Sequence, residues 1–312
     1  MARHRRVDSA ASFEFSDFDW EAYEAHRPKY PKALYDIVFK YHAKKRGKFD
    51  AALDVGAGIG IVTRELMKRF KLVTLSDPAY DYIRQARSCF CTVPANRLHF
   101  LQRKAEDLHL VDFMDGKVDM IAAGMSLHWA DQKVAIPRMA ALLKPNGTFA
   151  AWLYGIQAVV GGRRNPEVEA AIQNLLRSIL KIYASMVDTK SDESMVAVMN
   201  ARFDNFDFDP AVWKNVQRIH AHPALRCVSN EEQWPSAKSN VRPCETVLNF
   251  KDQGIISRVV DYEGVVGWMS SLNPEEFVPE YLPKEFEDVK KALNGGSVKL
   301  EYSFVLVLAT KR

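Results

Sequence analysis

The stretch Ala51-Ala52-Leu53-Asp54-Val55-Gly56-Ala57-Gly58-Ile59-Gly60 constrains this chain more than any other. An apolar run broken only by Asp54 leads straight into glycines at alternate positions. Such a run suits a strand covered on both faces, and Ile61 to Phe70 reads as the helix that follows it. Gly56 and Gly58 let the turn adopt conformations closed to other residues and let a ligand approach the backbone. Gly60 lets the helix pack close to the strand. Strand, glycine turn and helix in this order seat a nucleotide-sized ligand at the carboxyl edge of a parallel sheet.

The spacing narrows the ligand. Gly-x-Gly-x-Gly with Asp54 two residues upstream is neither the dinucleotide fingerprint Gly-x-Gly-x-x-Gly nor a phosphate loop ending in Gly-Lys-Ser/Thr. Leu72 to Ser76 reads as a second strand and ends at Asp77. That acid follows the turn by about 20 residues, where a carboxylate holds ribose hydroxyls. Its other role is the N-cap of the helix Ala79 to Ser88. Arg97 to Gln102 is a third strand, followed by Ala105-Glu106-Asp107.

Together, Asp54-Val55-Gly56-Ala57-Gly58-Ile59-Gly60, Ser76-Asp77-Pro78 and Ala105-Glu106-Asp107 resemble the class I S-adenosylmethionine (SAM)-dependent methyltransferases. The resemblance runs from Ala51 to Leu153 and, more loosely, over the whole chain. It implies an α/β, Rossmann-like, seven-stranded and mostly parallel sheet with an antiparallel last strand. It also implies SAM as the cofactor and S-adenosylhomocysteine as its product. Asp54, Gly56, Ala57, Gly58, Asp77, Pro78, Ala105, Glu106 and Gly124 are the implied cofactor residues. Asp54 alternatively bonds local turn amides, and Glu106 alternatively belongs to a solvated acidic turn.

Tyr23-x3-Arg27-Pro28-x-Tyr30-Pro31 is similar to the N-terminal segment of the trans-aconitate methyltransferase-like group, common among fungal enzymes. There the segment folds over cofactor and acceptor, which makes Tyr23 and Arg27 candidate substrate residues. The alternatives are a core role for Trp20 and Tyr23 and a helix cap for Arg27. Val118 to Ala123 is strand four, and it ends at Gly124-Met125-Ser126-Leu127-His128-Trp129. His128 is the candidate base or hydrogen-bond donor, or else a packing histidine beside Trp129. Trp129, Trp268 and Ser270 complete the substrate candidates by resemblance.

The chain divides into a tail and cap segment (1–45), a SAM-binding core (46–154), a helical lid insertion (155–244) and a part completing the core (245–312). Within it Lys133 to Leu143 reads as a helix and Thr148 to Tyr154 as strand five. Pro166 to Val187, Ser191 to Asn200 and Asp209 to Ile219 read as lid helices. Glu245 to Phe250 is expected as strand six, Ile255 to Met269 and Phe277 to Leu293 as helices, and Val298 to Thr310 as the last strand.

Composition sets the outer limits. The chain has 312 residues, 47% of them hydrophobic, and a formal net charge of +4. That charge is spread along the chain, whereas nucleic-acid binding calls for a concentrated basic patch. Cys89-x-Cys91 is not a zinc spacing, and His220-x-His222 has no accompanying carboxylates, so no metal is expected. No apolar run reaches membrane-spanning length. The basic start lacks the apolar core of a secretory signal, and Met1 to Phe15 reads as a polar tail. The expectation is a cytoplasmic monomer or homodimer that methylates a small-molecule acceptor. Oxygen of a small acid or secondary metabolite is the expected target. The alternative is a SAM-binding protein of the same fold that does not methylate.

Overall fold

The computed structural model describes residues 20–113, 116–159, 166–186, 194–221, 236–250, 256–272 and 277–312, without the side chains of 156–159 and 183–186. The polar tail, Cys227 and His222 lie outside the described residues.

The first strand, β1 (Ala51–Val55), is buried along its whole length. It pairs in parallel with β2 (Leu72–Asp77) on one side and β4 (Val118–Gly124) on the other. β3 (Leu98–Gln102) extends the sheet beyond β2, and β5 (Leu143–Val159) extends it beyond β4. β1, β2 and β3 thus step outward in one direction, and the chain then returns to lay β4 on the opposite flank of β1. That reversal opens a crevice at the carboxyl ends of β1 and β4, where ligands sit in open α/β sheets.

The sheet is larger than expected. β9 (Val298–Lys311) runs antiparallel to both β5 and β6 (Trp213–Ala221), and β7 (Thr246–Phe250) closes the far edge parallel to β6. The order is β3-β2-β1-β4-β5-β9-β6-β7, with β8 (Ser257–Val260) paired to the early part of β9. The mostly parallel α/β class with an antiparallel last strand stands. The seven expected strands become nine in the described chain.

Two segments correct the sequence reading. Asp209 to Ile219 is not a lid helix: its second half is β6, between β9 and β7. Trp213, Val216 and Ile219 are buried there, but so are Arg218 and His220, whose polarity mimics a helical face. Ile255 to Met269 is not one helix either. Ser257–Val260 is β8, and Asp261 caps a separate helix α8 (Tyr262–Ser270) by accepting from Gly264 N at 2.8 Å. The remaining helices are α1 (Trp20–His26), α2 (Lys32–Lys44), α3 (Ile61–Leu66), α4 (Tyr80–Cys89), α5 (Gln132–Leu142), α6 (Pro166–Met186), α7 (Met195–Asn200) and α9 (Pro283–Leu293). α3 and α9 are shorter than expected, because the chain turns after Leu66 and because Pro283 starts α9. Among the described residues no helix is long and apolar enough to cross a membrane, and no cluster of side chains suits a metal ion.

Separate hydrophobic clusters cover the two sheet faces, one including α2, α6, α8 and α9, the other α5 and the Phe203–Phe208 turn. His42 fastens α2 to β5 and is fully buried. Its Nε2 lies 2.7 Å from the Lys48 carbonyl, which only accepts, so Nε2 carries the proton and Nδ1 accepts from the Thr148 hydroxyl at 2.8 Å. Burial lowers its pKa from 6.5, outweighing the Lys48 carbonyl and Asp119. The unfolded chain therefore takes up this proton first. The stability His42 contributes is intact above about pH 6.5 and is lost as pH falls through that value. Wild type is expected to lose more melting temperature between about pH 7.5 and about 5.5 than His42→Gln does, because the amide does not titrate there. Equal slopes would remove His42 from the acid response.

Candidate active site

Every glycine-turn residue sits at the crevice. Gly56, Gly58 and Gly60 all have positive φ (+62°, +55° and +88°). At Gly56 the need is also steric, since a Cβ would lie 2.3 Å from Cβ of Ser126. Ser126 in turn donates to the Val55 carbonyl at 2.6 Å, tying the end of β4 to the end of β1.

Two carboxylates organise the turn. Asp54 is fully buried, and its Oδ2 accepts from the Thr63 hydroxyl of α3 at 2.6 Å. Its Oδ1 is buried without a partner. Burial pushes its pKa up to about 7, against the Thr63 bonds and with the help of the Asp77 charge. Asp77 accepts from Gly58 N and Ala79 N, both at 2.9 Å. Burial pushes it up to about 6, against those amide bonds. Asp77 thus braces the turn and is not the N-cap of α4: that position is Ala79, which has no side-chain cap. Ala57 N donates to the Ser76 carbonyl at 3.0 Å, holding β1 to β2 beyond the last register pair.

The other cofactor candidates are placed less directly. Pro78 follows Asp77, and its carbonyl accepts from Gln102 Nε2 at 3.2 Å. Ala105 is buried at the start of a short 3-10 helix. Glu106 reaches across to accept from Asp131 N at 2.6 Å, joining the loop after β3 to the loop after β4. Gly124 ends β4 beneath the Trp152 indole, which a Cβ would meet at 2.9 Å.

α1 covers the turn. Trp20 and Tyr23 rest on Tyr82 of α4, with ring centroids 5.2 and 6.0 Å away, and Tyr82 is the ring nearest Gly58. Glu24 forms an ion pair with Arg64 of α3. Arg27 then turns inward, with its guanidinium 4.8 Å from the Tyr23 centroid and Nη2 donating to the Ser271 carbonyl at 3.1 Å. The Ser271 carbonyl belongs to the C-cap residue of α8, so Arg27 also caps that helix.

His128 is buried after β4, 5.5 Å from the Trp129 ring. Burial, assisted by the Arg27 charge, lowers its pKa to about 3. It is therefore neutral at physiological pH and a poor proton acceptor. Trp268 is buried edge-on to Tyr302 at 5.8 Å. Ser270 donates to the Val266 carbonyl of its own helix at 2.9 Å. The sequence reading missed its neighbour Ser271, whose carbonyl holds Arg27, and missed Tyr82 and Tyr154 as the rings around Arg27. No spacing marks these three, because strands and helices far apart in the chain bring them together.

Residues 53–151 match the family model described as "Methyltransferase domain". The chain carries a methyltransferase domain. Methyltransferase cfoB of Aspergillus candidus is 27% identical over 95% of this chain and 97% of its own length. Methyltransferase pgmE of Aspergillus terreus is 28% identical over 94% of this chain and 93% of its own. A structure described as a putative type II methyltransferase from Anaeromyxobacter dehalogenans superposes with a TM-score of 0.53. It is 18% identical, over 90% of this chain and 97% of its own, and supports the fold. A domain of this family implies SAM as the methyl donor.

Proposed function

We propose that this methyltransferase transfers the methyl group of SAM to an oxygen of a small-molecule acceptor, a small acid or a secondary metabolite. The residues of the crevice fit SAM. Asp54 Oδ1 is a buried acceptor without a partner, suited to a cationic amino group. A Cβ at Gly58 would meet only the Tyr82 ring, at 3.7 Å, so the backbone there is open to a ligand. SAM supplies an electrophilic methyl carbon on a sulfonium. The protein's part is to align the acceptor and exclude water, which supplies up to about 7–11 kcal/mol in the best-oriented reactions. Tyr23, Arg27 and Trp129 line the acceptor side on this reading, with Trp268 behind them. Full-length similarity to fungal methyltransferases supports a secondary-metabolite acceptor.

The single observation that carries the cofactor half is the pair Asp54 and Asp77 at the glycine turn, with pKa values raised to about 7 and about 6. A cationic ligand beside them favours their ionised forms and expels their protons. SAM binding is therefore expected to release protons near pH 6 and to tighten as pH rises towards about 7.5. Calorimetric titration in buffers of different ionisation enthalpy reads this directly. Binding with no buffer dependence would take both carboxyl groups out of the cofactor site. Incubation with SAM and a fungal metabolite extract tests the transfer itself. The expected result is S-adenosylhomocysteine together with a product heavier by one methylene.

A further inference from the structure

We propose that Gln132 is a positioning residue for the transfer step: its side-chain amide staples both ends of the His128-Trp129 dipeptide and so fixes that wall of the crevice. This rests on the methyl-transfer reading above and adds a residue to it.

Gln132 is the first residue of α5, directly after the cap Asp131. A helical side chain leans towards the N-terminus of its helix, so one in the first turn covers the loop before it. That loop carries His128 and Trp129. Gln132 Nε2 donates to the Leu127 carbonyl at 2.8 Å and to the Ala130 carbonyl at 2.5 Å. These are the groups just before and just after the dipeptide. Carbonyls only accept, so the nitrogen must be the atom that faces them. Both amide protons are thereby occupied by the loop.

Oε1 is left on the other side, where Asn205 Nδ2 donates to it at 3.3 Å. The Asn205 carbonyl in turn accepts from Asn240 Nδ2 at 2.7 Å. Asn205 stands between Phe203 and Phe206, whose carbonyls accept from Arg218 of β6. The staple is therefore anchored outside the loop that it fastens.

The flanks of the loop are fastened without Gln132. Met125 N donates to the Trp152 carbonyl at 2.9 Å, and the Ser126 hydroxyl to the Val55 carbonyl at 2.6 Å. On the far side Asp131 N donates to Glu106 at 2.6 Å. Between these points Trp129 N donates to the Ser126 carbonyl at 3.1 Å and Ala130 N to the Leu127 carbonyl at 3.4 Å. Those two bonds join loop to loop and do not tie the stretch to another element. Gln132 supplies such a tie. Without it residues 127–130 loosen, while Asp54, Asp77 and the glycine turn keep their own bonds. The stretch ends β4, at the crevice, and holds His128 Nδ1, a buried atom without a partner. Misplacing such a group by about 1 Å costs up to about a hundredfold in rate.

The test uses the full-length protein, Gln132→Met, which is close in volume and lacks the donors, and Gln132→Lys, which restores a donor. Hydrogen–deuterium exchange is followed with S-adenosylhomocysteine bound. In Gln132→Met, peptides spanning 126–131 are expected to exchange about tenfold faster, and peptides of β1 and β2 at the wild-type rate. Affinity for S-adenosylhomocysteine should stay within about threefold of wild type, which also shows that the variant is folded. With saturating SAM and the metabolite extract, S-adenosylhomocysteine formation should slow by about tenfold or more, and Gln132→Lys should regain part of the loss.

A purely structural role gives a different pattern. Turnover would then fall only in step with S-adenosylhomocysteine affinity, and exchange would quicken throughout the sheet. That pattern overturns the proposal. So does wild-type exchange at 126–131 in Gln132→Met, or quickened exchange there with undiminished turnover. If wild type itself forms no S-adenosylhomocysteine from the extract, methyl transfer is the reading that falls. The transfer role of Gln132 falls with it, and exchange alone then shows whether the staple exists.

Discussion

Arg218→Ala is expected to destabilise the protein more than any other single substitution outside the crevice, by about 3–5 kcal/mol. Arg218 is fully buried in β6, and its Nε donates to Glu245 at 2.6 Å, whose side chain is also buried. Its other nitrogens donate to the carbonyls of Phe203 at 2.5 Å and Phe206 at 2.9 Å. Removing the guanidinium strands a buried carboxylate and leaves the Phe206 carbonyl without its donor, while the Phe203 carbonyl keeps only the Phe206 amide at 3.1 Å. It also frees a turn held against its own preference. Arg202 and Phe203 have φ of +52° and +59°, a left-handed pair without glycine, each costing about 1–2 kcal/mol. Against a total stability of about 5–15 kcal/mol the loss is large, and the melting temperature should fall on the order of 5–10 °C. Arg218→Met/Glu245→Leu, which removes both charges, should recover part of the loss. A melting temperature within a degree or two of wild type in Arg218→Ala would show that the pair carries no stability.

This same residue shows where the sequence stops being legible. The glycine turn, β1, β2 and β4 could be read because each is a local pattern. Apolar residues run unbroken where both faces are covered, and Gly56 stands where a left-handed turn meets Ser126. β6 could not be read in that way. Its buried Arg218 and His220 look like the polar face of a helix until Glu245 and Asp204, from other parts of the chain, are placed beside them. β8 was hidden for a different reason. Four residues are too few for a period, and the boundary signal, Asp261 capping α8, looks like any aspartate before an apolar run.

The candidate site divides along the same line. Asp54, Asp77 and the glycines are neighbours through one strand–turn–helix unit and its adjoining strand, so spacing alone brings them together. Arg27 meets Ser271 across 244 positions of sequence, and Tyr154 belongs to yet another element. A motif could mark Arg27 as unusual, but its bond to Ser271 is a property of the folded protein. Ser270 and Ser271 make the point within one turn. The sequence offered the first, and helix geometry returns its hydroxyl to Val266 while the next residue's carbonyl faces Arg27.

Gly56→Ala is expected to weaken S-adenosylhomocysteine binding by about a hundredfold while leaving the sheet folded. Two costs combine. Alanine at φ +62° is strained, by about 1–2 kcal/mol. Its Cβ would also fall 2.3 Å from that of Ser126, an overlap that backbone must relieve. Either the turn moves out of the crevice or Ser126 moves and gives up its bond to the Val55 carbonyl, one worth about 1 kcal/mol. Both routes disturb the end of β1, from which Asp54 and the Gly58 amide are presented. Misplacement by about 1 Å is enough for effects of this size. The two costs separate in a double-mutant cycle. Ser126→Gly removes the overlapping Cβ, so Gly56→Ala/Ser126→Gly should regain the steric part of the loss and keep the conformational part. If Gly56→Ala binds S-adenosylhomocysteine as wild type does, the glycine turn is not its seat. If the double variant is no better than the single one, strain at φ +62° is the whole effect, and Ser126 serves only to join β4 to β1.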